Sequence, residues 1–333
     1  MTSRTPVDLY GKAALPPCDG PRLKPFKYRK ESIEFVSLLS EPPSSSPTGA
    51  CAHVFKVKFG KRGYYALKIF KFKKIQDLRG EQWALSNENV SDDDLVFHSD
   101  PFYAECRAYG KIEEIEESMA RKSSKASQRV AAQQIQSSTK QTKRKSRSQK
   151  NSRSQVTSKH SVDREAHRLA VPCYGFMGLP PTFEALLAER FGIFDWDRSS
   201  SDESMSQDIR APFRALVKQL VENKPAFGRP RKMLADLKIL RAHEIYQKDI
   251  AARNYMNGLL VDFGAAWTSP HWCLETLSRN QLHYELFSDL FEWDHMMREE
   301  IPSTVVRAAP LTSRLLSLRD YRELGHDMKY KNA

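Results

Sequence analysis

Two short stretches of the chain combine residue types that phosphate chemistry uses. Asp249 and Asn254 stand five positions apart, and Asp262 precedes Phe263 and Gly264. Carboxylate and amide oxygens are ligands that Mg²⁺ prefers, and a carboxylate can orient an attacking hydroxyl. We therefore expect Asp249 to orient the acceptor hydroxyl, and Asn254 and Asp262 to hold Mg²⁺ against the phosphates of ATP. The alternative is a helix-capping aspartate followed by an asparagine in a turn.

A lysine and a glutamate further upstream complete the set of polar groups that handle ATP. Lys68 lies in the second strand of a predicted hairpin, and Glu105 lies in the first full helix after that strand. A lysine in such a strand reaches the α- and β-phosphates and pairs with a helix glutamate. Taken singly, each is explained equally well as a solvated surface residue. Their order along the chain favours the functional interpretation.

Hydrophobic periodicity predicts the elements that must position these residues. Residues 53–59 alternate with period two and residues 64–70 return after a glycine-containing turn, which predicts a hairpin. Asp100 and Pro101 predict the start of the helix that carries Glu105, because aspartate caps helices and proline suits their first position. Further elements are predicted as a short helix or strand at 32–39, strands at 169–177 and 213–221, helices at 182–191 and 233–243, and a hairpin around Asn257-Gly258.

Several of these stretches also carry a resemblance to a known family. They are residues 65–70, the Asp-Pro-Phe-x-x-Glu-Cys-Arg-Ala-Tyr-Gly run at 100–110, and residues 231–234, 249–254 and 261–268. The set resembles protein kinases, and more narrowly a group of fungal kinase-like proteins related to an inner-kinetochore subunit. The resemblance implies an α+β, two-lobed protein-kinase-like fold with a small antiparallel β lobe and a shortened helical C-terminal lobe.

The resemblance also implies a role for each matching residue. Lys68, Glu105 and Asp249 are then the catalytic residues, and Asn254 and Asp262 the metal ligands. The nucleotide is then held by these metal ligands, by Lys68, by Gly49 of the loop that covers the phosphates, and by Val54 and Ala66 of the first strands. ATP and Mg are the implied cofactors, with the adenine against residues 213–221.

The chain departs from the kinase pattern at several points. In the loop that covers the phosphates only Gly49 keeps a glycine, because Pro47 and Ala52 replace the other two. Side chains at such positions limit the approach of backbone N–H groups to phosphates. The usual histidine is missing from Tyr246-Gln247-Lys248-Asp249, although Lys248 keeps a positive charge that could anchor a phosphorylated loop. No Ala-Pro-Glu follows Gly264, so a typical activation segment and full substrate lobe are not expected.

The net charge of +12 belongs to one segment. Twelve Lys and Arg and no acidic residue lie between Met119 and Val162, and the rest of the chain is balanced. Few residues there are apolar, which predicts disorder. The segment fits a nuclear-localisation signal or a weak nucleic-acid contact, and equally well a solvated insertion in a loop.

Composition sets wider limits on the class of protein. The five cysteines form no CxxC pair and the nine histidines show no metal-binding spacing, which disfavours a disulfide framework or a zinc enzyme. No apolar run approaches the roughly 18 residues of a membrane span. We expect a nuclear, or otherwise cytoplasmic, protein without a membrane partner.

The expected organisation has five parts. They are a mostly disordered tail (1–46), the first strands and the helix with Glu105 (47–118), the basic insert (119–162), the remaining strands and hinge (163–222), and a truncated helical part with both loops (223–333).

Three functions stay open at this point. The first is an ATP- and Mg-dependent phosphotransferase acting on protein hydroxyls. The second is a kinase-fold scaffold, weakly active or inactive, that binds complex subunits at the kinetochore or chromatin. The third is a phosphotransferase for small molecules. The expected partners are accordingly ATP and either a protein substrate or the other subunits of a complex.

Overall fold

A five-stranded antiparallel sheet organises the part of the chain that the computed structural model describes, residues 20–40, 50–81, 90–139, 167–206, 209–221, 229–301 and 306–308. The strands lie in the spatial order β1-β2-β3-β5-β4, and every neighbouring pair is antiparallel. They are β1 (Ile33–Leu38), β2 (Ala52–Phe59), β3 (Tyr64–Phe70), β4 (Cys173–Leu179) and β5 (Phe213–Gln219).

In the described part of the chain, the remaining elements are helices, two short two-stranded ladders and one 3₁₀ turn. The helices are α1 (Ile75–Glu81), α2 (Asp92–Ser99), α3 (Pro101–Thr139), α4 (Phe183–Phe191), α5 (Ser200–Glu203), α6 (Pro230–Ala242), α7 (Trp272–Thr276) and α8 (Arg279–Glu299). The short strands are β6 (Ile245–Tyr246), β7 (Tyr255–Met256), β8 (Leu259–Leu260) and β9 (Trp267–Thr268), with a 3₁₀ turn at Ala252–Asn254. In the described residues no helix has both the length and the apolar character needed to cross a bilayer.

Most of the predicted elements are confirmed, with ends shifted by a few residues. The hairpin β7–β8 turns at Asn257 and Gly258, which both have positive φ angles, as a two-residue hairpin turn requires. The strand predicted at 169–177 begins only at Cys173. Proline at position 172 has no N–H to donate to a ladder, and before it only an isolated bridge joins Ala170 to Leu260.

Alternating side chains give the sheet two buried faces. Leu67 and Ile69 pack on one face with an aromatic cluster that includes Phe55 and Trp196. Lys68 and Phe70 point to the opposite face, where α3 packs. Each fully buried aromatic or aliphatic side chain contributes about 1.5–3 kcal/mol of transfer free energy. The sheet therefore fixes the position of Lys68 through packing on both sides of its strand.

Helix α3 begins and buries its face as the sequence predicts. Asp100 Oδ1 accepts a hydrogen bond from the Phe102 backbone N–H at 2.9 Å, which caps the first turn. The predicted apolar positions, Phe102, Cys106, Tyr109 and Ile112, are all buried. The helix thus presents one apolar stripe to the sheet and to the core below it.

The length of α3 differs from expectation. The helix runs on to Thr139, so residues 119–139 of the basic insert are helical rather than disordered. Extending an existing helix adds one hydrogen bond per residue without a new nucleation cost. Alanine, glutamine, lysine and arginine, which are frequent there, favour helix. Residues 140–162 of the insert lie outside the described residues.

The segment before β1 is also more structured than expected. Phe26 N–H donates to Phe176 O at 2.7 Å, and Phe176 N–H donates to Lys24 O at 3.2 Å. Gly110 of α3 lies so close to this segment that an added Cβ would be 2.7 Å from the backbone carbon of Arg22. Residues 20–40 are therefore part of the fold, whereas residues 1–19 lie outside the described residues.

The main core runs from the sheet into the helices. It includes Phe102 of α3, Leu237 of α6 and Trp293 of α8 in one continuous cluster. Residues 169–171 lie beside β8, since Val171 N–H donates to Leu260 O at 2.9 Å. The division of the chain at positions 47, 119, 163 and 223 stays a prediction.

Candidate functional site

The structure brings Lys68, Glu105 and Asp262 together inside the fold. Lys68 Nζ donates to Glu105 Oε2 at 2.9 Å and lies 2.7 Å from Asp262 Oδ1. The side chain of Lys68 is 6% exposed and that of Glu105 is 0% exposed, whereas that of Asp262 is 33% exposed. Strand β3 and helix α3 are held by the core, so this contact joins the sheet, the helix and the loop after β8.

A second lysine, which the sequence analysis missed, completes this cluster. Lys218 of β5 donates to Glu105 Oε1 and, at 2.6 Å, to the backbone oxygen of Val261. We call Lys68, Glu105, Lys218 and Asp262 the ion quartet. Its two lysines and two carboxylates cancel in charge, which reduces the cost of burying each ion. A lysine within the apolar run of β5 was the only signal in the sequence.

The pKa values in the quartet follow from this pairing. Burial by itself would lower the pKa of Lys68, but the charges of Asp262 and Glu105 outweigh burial and raise it above the ordinary value. Burial would likewise raise the pKa of Asp262, but Lys68 and Lys218 outweigh burial and hold it well below the ordinary value. Both groups are therefore charged at neutral pH, as a phosphate anchor and a metal ligand must be.

Asp249 and Asn254 form a second, more exposed cluster in the loop after β6. Asn254 Nδ2 donates at 2.9 Å to both the backbone oxygen and Oδ2 of Asp249. Arg253 Nη2 donates to the two carboxylate oxygens of Asp249 at 2.7 and 2.9 Å. The amide nitrogen of Asn254 is thus used within the loop, which leaves its side-chain oxygen as the atom that suits a cation.

Two neighbours of Asp249 tie this loop to the rest of the fold. Gln247 Nε2 donates to the backbone oxygen of Asp262 at 2.5 Å. Lys248 Nζ donates to Glu285 Oε2 at 2.9 Å and lies 4.0 Å from the ring centroid of Trp267. Lys248 is therefore engaged by α8 and by β9, which differs from the expected role as an anchor for a phosphorylated loop.

An open cavity of about 660 Å³ lies in front of these two clusters. Asp249, Asn254 and Asp262 all line it, together with residues of α2, α3 and α8 and with Cys51, which immediately precedes β2. Its volume falls in the range of pockets that hold small molecules, about 300–1,000 Å³. The three residues predicted to serve a hydroxyl and a metal therefore share one solvent-accessible space.

Two other predicted nucleotide contacts, Ala66 and Val54, lie away from the cavity. Ala66 is buried on β3, directly across from Lys218 in the ladder, and does not line the cavity. Val54 is the cross-strand partner of Lys68 and does not line the cavity either. Gly49 lies outside the described residues. The contacts predicted for these three residues with a nucleotide stay predictions.

Two histidines that the sequence analysis did not single out fix the wall beside the cavity. His98 Nδ1 accepts from the Trp272 backbone N–H at 2.9 Å, and His271 Nδ1 accepts from the Cys273 N–H at 3.2 Å. The two rings lie 4.9 Å apart. Burial, assisted by the charge of Arg107, lowers the pKa of His98 to about 4. Both acceptors require an unprotonated Nδ1, so the wall is built from neutral rings.

A family model provides the link between this geometry and known proteins. The model for the Kinetochore Sim4 complex subunit FTA2 matches residues 12–165 and 160–267, which together make up well over half of the chain and include every residue of the ion quartet. No curated protein and no solved structure matches the chain. The chain belongs to the FTA2 family of kinetochore Sim4 complex subunits.

Proposed function

We propose that this protein is a structural subunit of a nuclear kinetochore complex, with a kinase-like fold that serves as a scaffold. The observation that carries the proposal is the match of residues 12–165 and 160–267 to a family of kinetochore complex subunits. The contacts of Lys68 with Glu105 and Asp262 are compatible with a scaffold, because they pair the charges of the cluster with one another.

The kinase-like part of the proposal rests on where four side chains sit. Lys68 lies on the third strand of an antiparallel sheet, and Glu105 lies on the long helix that packs against that sheet. Asp249 and Asp262 come from loops on either side of the small β7–β8 hairpin. This is the arrangement that the kinase resemblance implies for a phosphate anchor, its glutamate, a base and a metal ligand.

The scaffold part rests on the energetics of these contacts. A buried ion pair that loses one partner costs about 3–5 kcal/mol, because the remaining charge is stranded in the protein interior. Lys68 and Lys218 both depend on carboxylates of the same cluster. Loss of any one member would therefore destabilise the folded protein whether or not it ever meets a nucleotide.

The test is a replacement in cells that depend on the protein. Asp249→Asn removes the only carboxylate expected to act on a hydroxyl, and its exposed position makes loss of folding a minor concern. If the protein is a scaffold, cells with Asp249→Asn should show normal complex assembly and normal chromosome segregation. Trp293→Ala is the control that must lose both, because it empties a fully buried core site at a cost of about 3–5 kcal/mol. Failure of Asp249→Asn at normal protein level would contradict the scaffold.

A second function, ATP- and Mg-dependent transfer to protein hydroxyls, is favoured by the shared cavity. The donor set fits a magnesium ion, because Asp262 and Asn254 offer oxygens and both line the cavity. Mg-ATP, when bound, would supply the phosphoryl group and the positive charge that stabilises its transfer. Lys68 would then exchange Asp262 for phosphate oxygens, and Asp249 would accept the hydroxyl proton.

Thermal unfolding with increasing Mg-ATP tests this second function. Nucleotide binding predicts a rise in the wild-type midpoint that Asp262→Ala lacks. Absence of a shift in the wild type, or an equal shift in the variant, would exclude the site. If the protein transfers the phosphoryl group, phosphorylation of a protein substrate should disappear in Asp249→Asn. Turnover with small alcohols but not with proteins would instead indicate a small-molecule enzyme.

A further inference from the structure

Lys218 is a buried cation to which neither the kinase resemblance nor the proposed function assigns a role. It lies on β5, and its side chain is 7% exposed. Its ammonium group donates to Glu105 Oε1 and to the backbone oxygen of Val261. One side chain therefore connects the sheet, helix α3 and the residue immediately before Asp262.

The geometry divides Glu105 between the two lysines. Oε2 receives Lys68, and Oε1 receives Lys218. If Lys68 turns toward phosphate groups, Glu105 still keeps one charged partner in its buried position. The carboxylate therefore does not depend on Lys68 alone to stay beneath the sheet.

The contact with Val261 constrains the loop that carries Asp262, one of the two predicted metal ligands. Val261 N–H donates to Asn254 O at 2.9 Å, so its backbone also joins the loop of Asp249. By holding Val261 O, Lys218 fixes the chain one residue before Asp262. The direction in which Asp262 leaves β8 is thereby set from the sheet.

We propose that Lys218 is a positioning residue that holds Glu105 and the Asp262 loop in the assembled arrangement, both without a nucleotide and while Lys68 contacts phosphates. Its nucleotide part rests on the proposed second function. Removing a charge from water costs several kcal/mol per ion, and an apolar side chain at this position would fill the same space without that cost. Two hydrogen bonds to separate elements are what the lysine adds.

Hydrogen exchange of the nucleotide-free protein is the first test. Lys218→Met keeps the length of the side chain and removes its charge. We expect residues 259–264 to exchange roughly tenfold faster, because the bond from Lys218 to the Val261 oxygen is lost, while the strands β1 and β2 keep their protection. Lys218→Arg, which keeps the charge and the donors, should restore most of the protection. Lys24→Met, a change at a 74% exposed lysine, is the matched control.

Glu105→Gln supplies an independent variant in case Lys218→Met does not fold. It keeps the shape of the side chain but weakens the same bond to Lys218, so it must accelerate exchange in the same residues. Wild-type exchange at residues 259–264 in both variants, or equal acceleration throughout the molecule, would overturn the proposal. An effect of Lys24→Met equal to that of Lys218→Met would do the same.

Calorimetric titration with Mg-ADP and Mg-ATP then separates this inference from the proposed second function. If the wild type binds, Lys218→Met should weaken both nucleotides about equally, because Lys218 acts through Glu105 and Asp262 and contacts no phosphate. A loss confined to Mg-ATP would place Lys218 at the terminal phosphate and overturn its positioning role. If the wild type binds neither, the second function fails and the hydrogen-exchange result alone decides the role of Lys218.

Discussion

The side-chain amide of Gln247 donates a hydrogen bond to the backbone oxygen of Asp262, with 2.5 Å between Nε2 and that oxygen. Gln247 is 1% exposed, so the donor of this bond is buried in the protein. It joins the loop that carries Asp249 to the loop that carries Asp262. The glutamine therefore supplies a side-chain N–H donor that links the two loops.

We expect Gln247→Leu to lower the free energy of unfolding by about 1–3 kcal/mol, because the Asp262 carbonyl is left without its buried donor. Gln247→His retains a ring N–H and should cost less. Urea denaturation of the three proteins measures the difference. Equal stability of Gln247→Leu and wild type would show that the bond contributes nothing.

The neutral histidine wall predicts a dependence of stability on pH. His98 has a pKa of about 4 in the fold against an ordinary 6.5, so the unfolded chain binds the proton more readily between these values. Its contribution to stability is therefore complete above pH 6.5 and is lost as the pH falls toward 4, by about 3 kcal/mol in total.

Asp289 has the opposite effect, because burial raises its pKa to about 6 and the folded state then takes up its proton first. For that reason the measurement compares two proteins. The free energies of unfolding of wild type and His98→Gln are measured in denaturant at pH 7.5 and at pH 5, and the loss between the two pH values is compared. His98→Gln should lose less stability on acidification than the wild type. The same substitution at the exposed His295 is the control. Parallel pH curves for wild type and His98→Gln would refute the assignment.

Two glycines in helices should respond to alanine in opposite ways. Gly110 faces the backbone of residues 22–23 at a distance that admits no Cβ, so Gly110→Ala should cost about 1–3 kcal/mol through overpacking. Gly80 has open space around it, and Gly80→Ala should change stability by less than about 1 kcal/mol, in the stabilising direction. Thermal and urea unfolding test both. A neutral Gly110→Ala would mean that residues 22–23 are free to move away.

Two arginine–aspartate pairs of the same chemistry differ in burial. Arg253 and Asp249 are both largely exposed, so Arg253→Ala should change the free energy of unfolding by less than about 1 kcal/mol. Asp289 is 1% exposed beside Arg241, with 2.6 Å between Arg241 Nη1 and Asp289 Oδ1. Arg241→Met should cost about 3 kcal/mol, because it strands a buried carboxylate. Equal effects in urea unfolding would contradict this ranking.

The sequence predicts well what is local to a single element. Lys68 and Glu105 each stand at a recognisable place in a strand or near a helix start, and the structure places them in contact. Lys218 is not recognisable in this way, because its partners lie 113 and 43 positions away and only tertiary packing brings them together. The same holds for His98 and His271, which are 173 positions apart. Composition alone predicts disorder for residues 119–139, because it takes no account of the helix that precedes them.

The length and continuity of helix α3 determine how a force applied at its far end is transmitted. At 1.5 Å of rise per residue, the twenty positions from Glu105 to Lys125 span about 30 Å of continuous helix. Arg121, Lys122 and Lys125 are thereby held at a set distance and direction from the ion quartet, instead of sampling the volume that a flexible tether would allow. A pull on the far end of α3 reaches Glu105 as a tilt or rotation of one stiff rod. The bond from the Leu169 N–H to Glu116 Oε1 lies between that end and Glu105, so it would take up such a load before the quartet does.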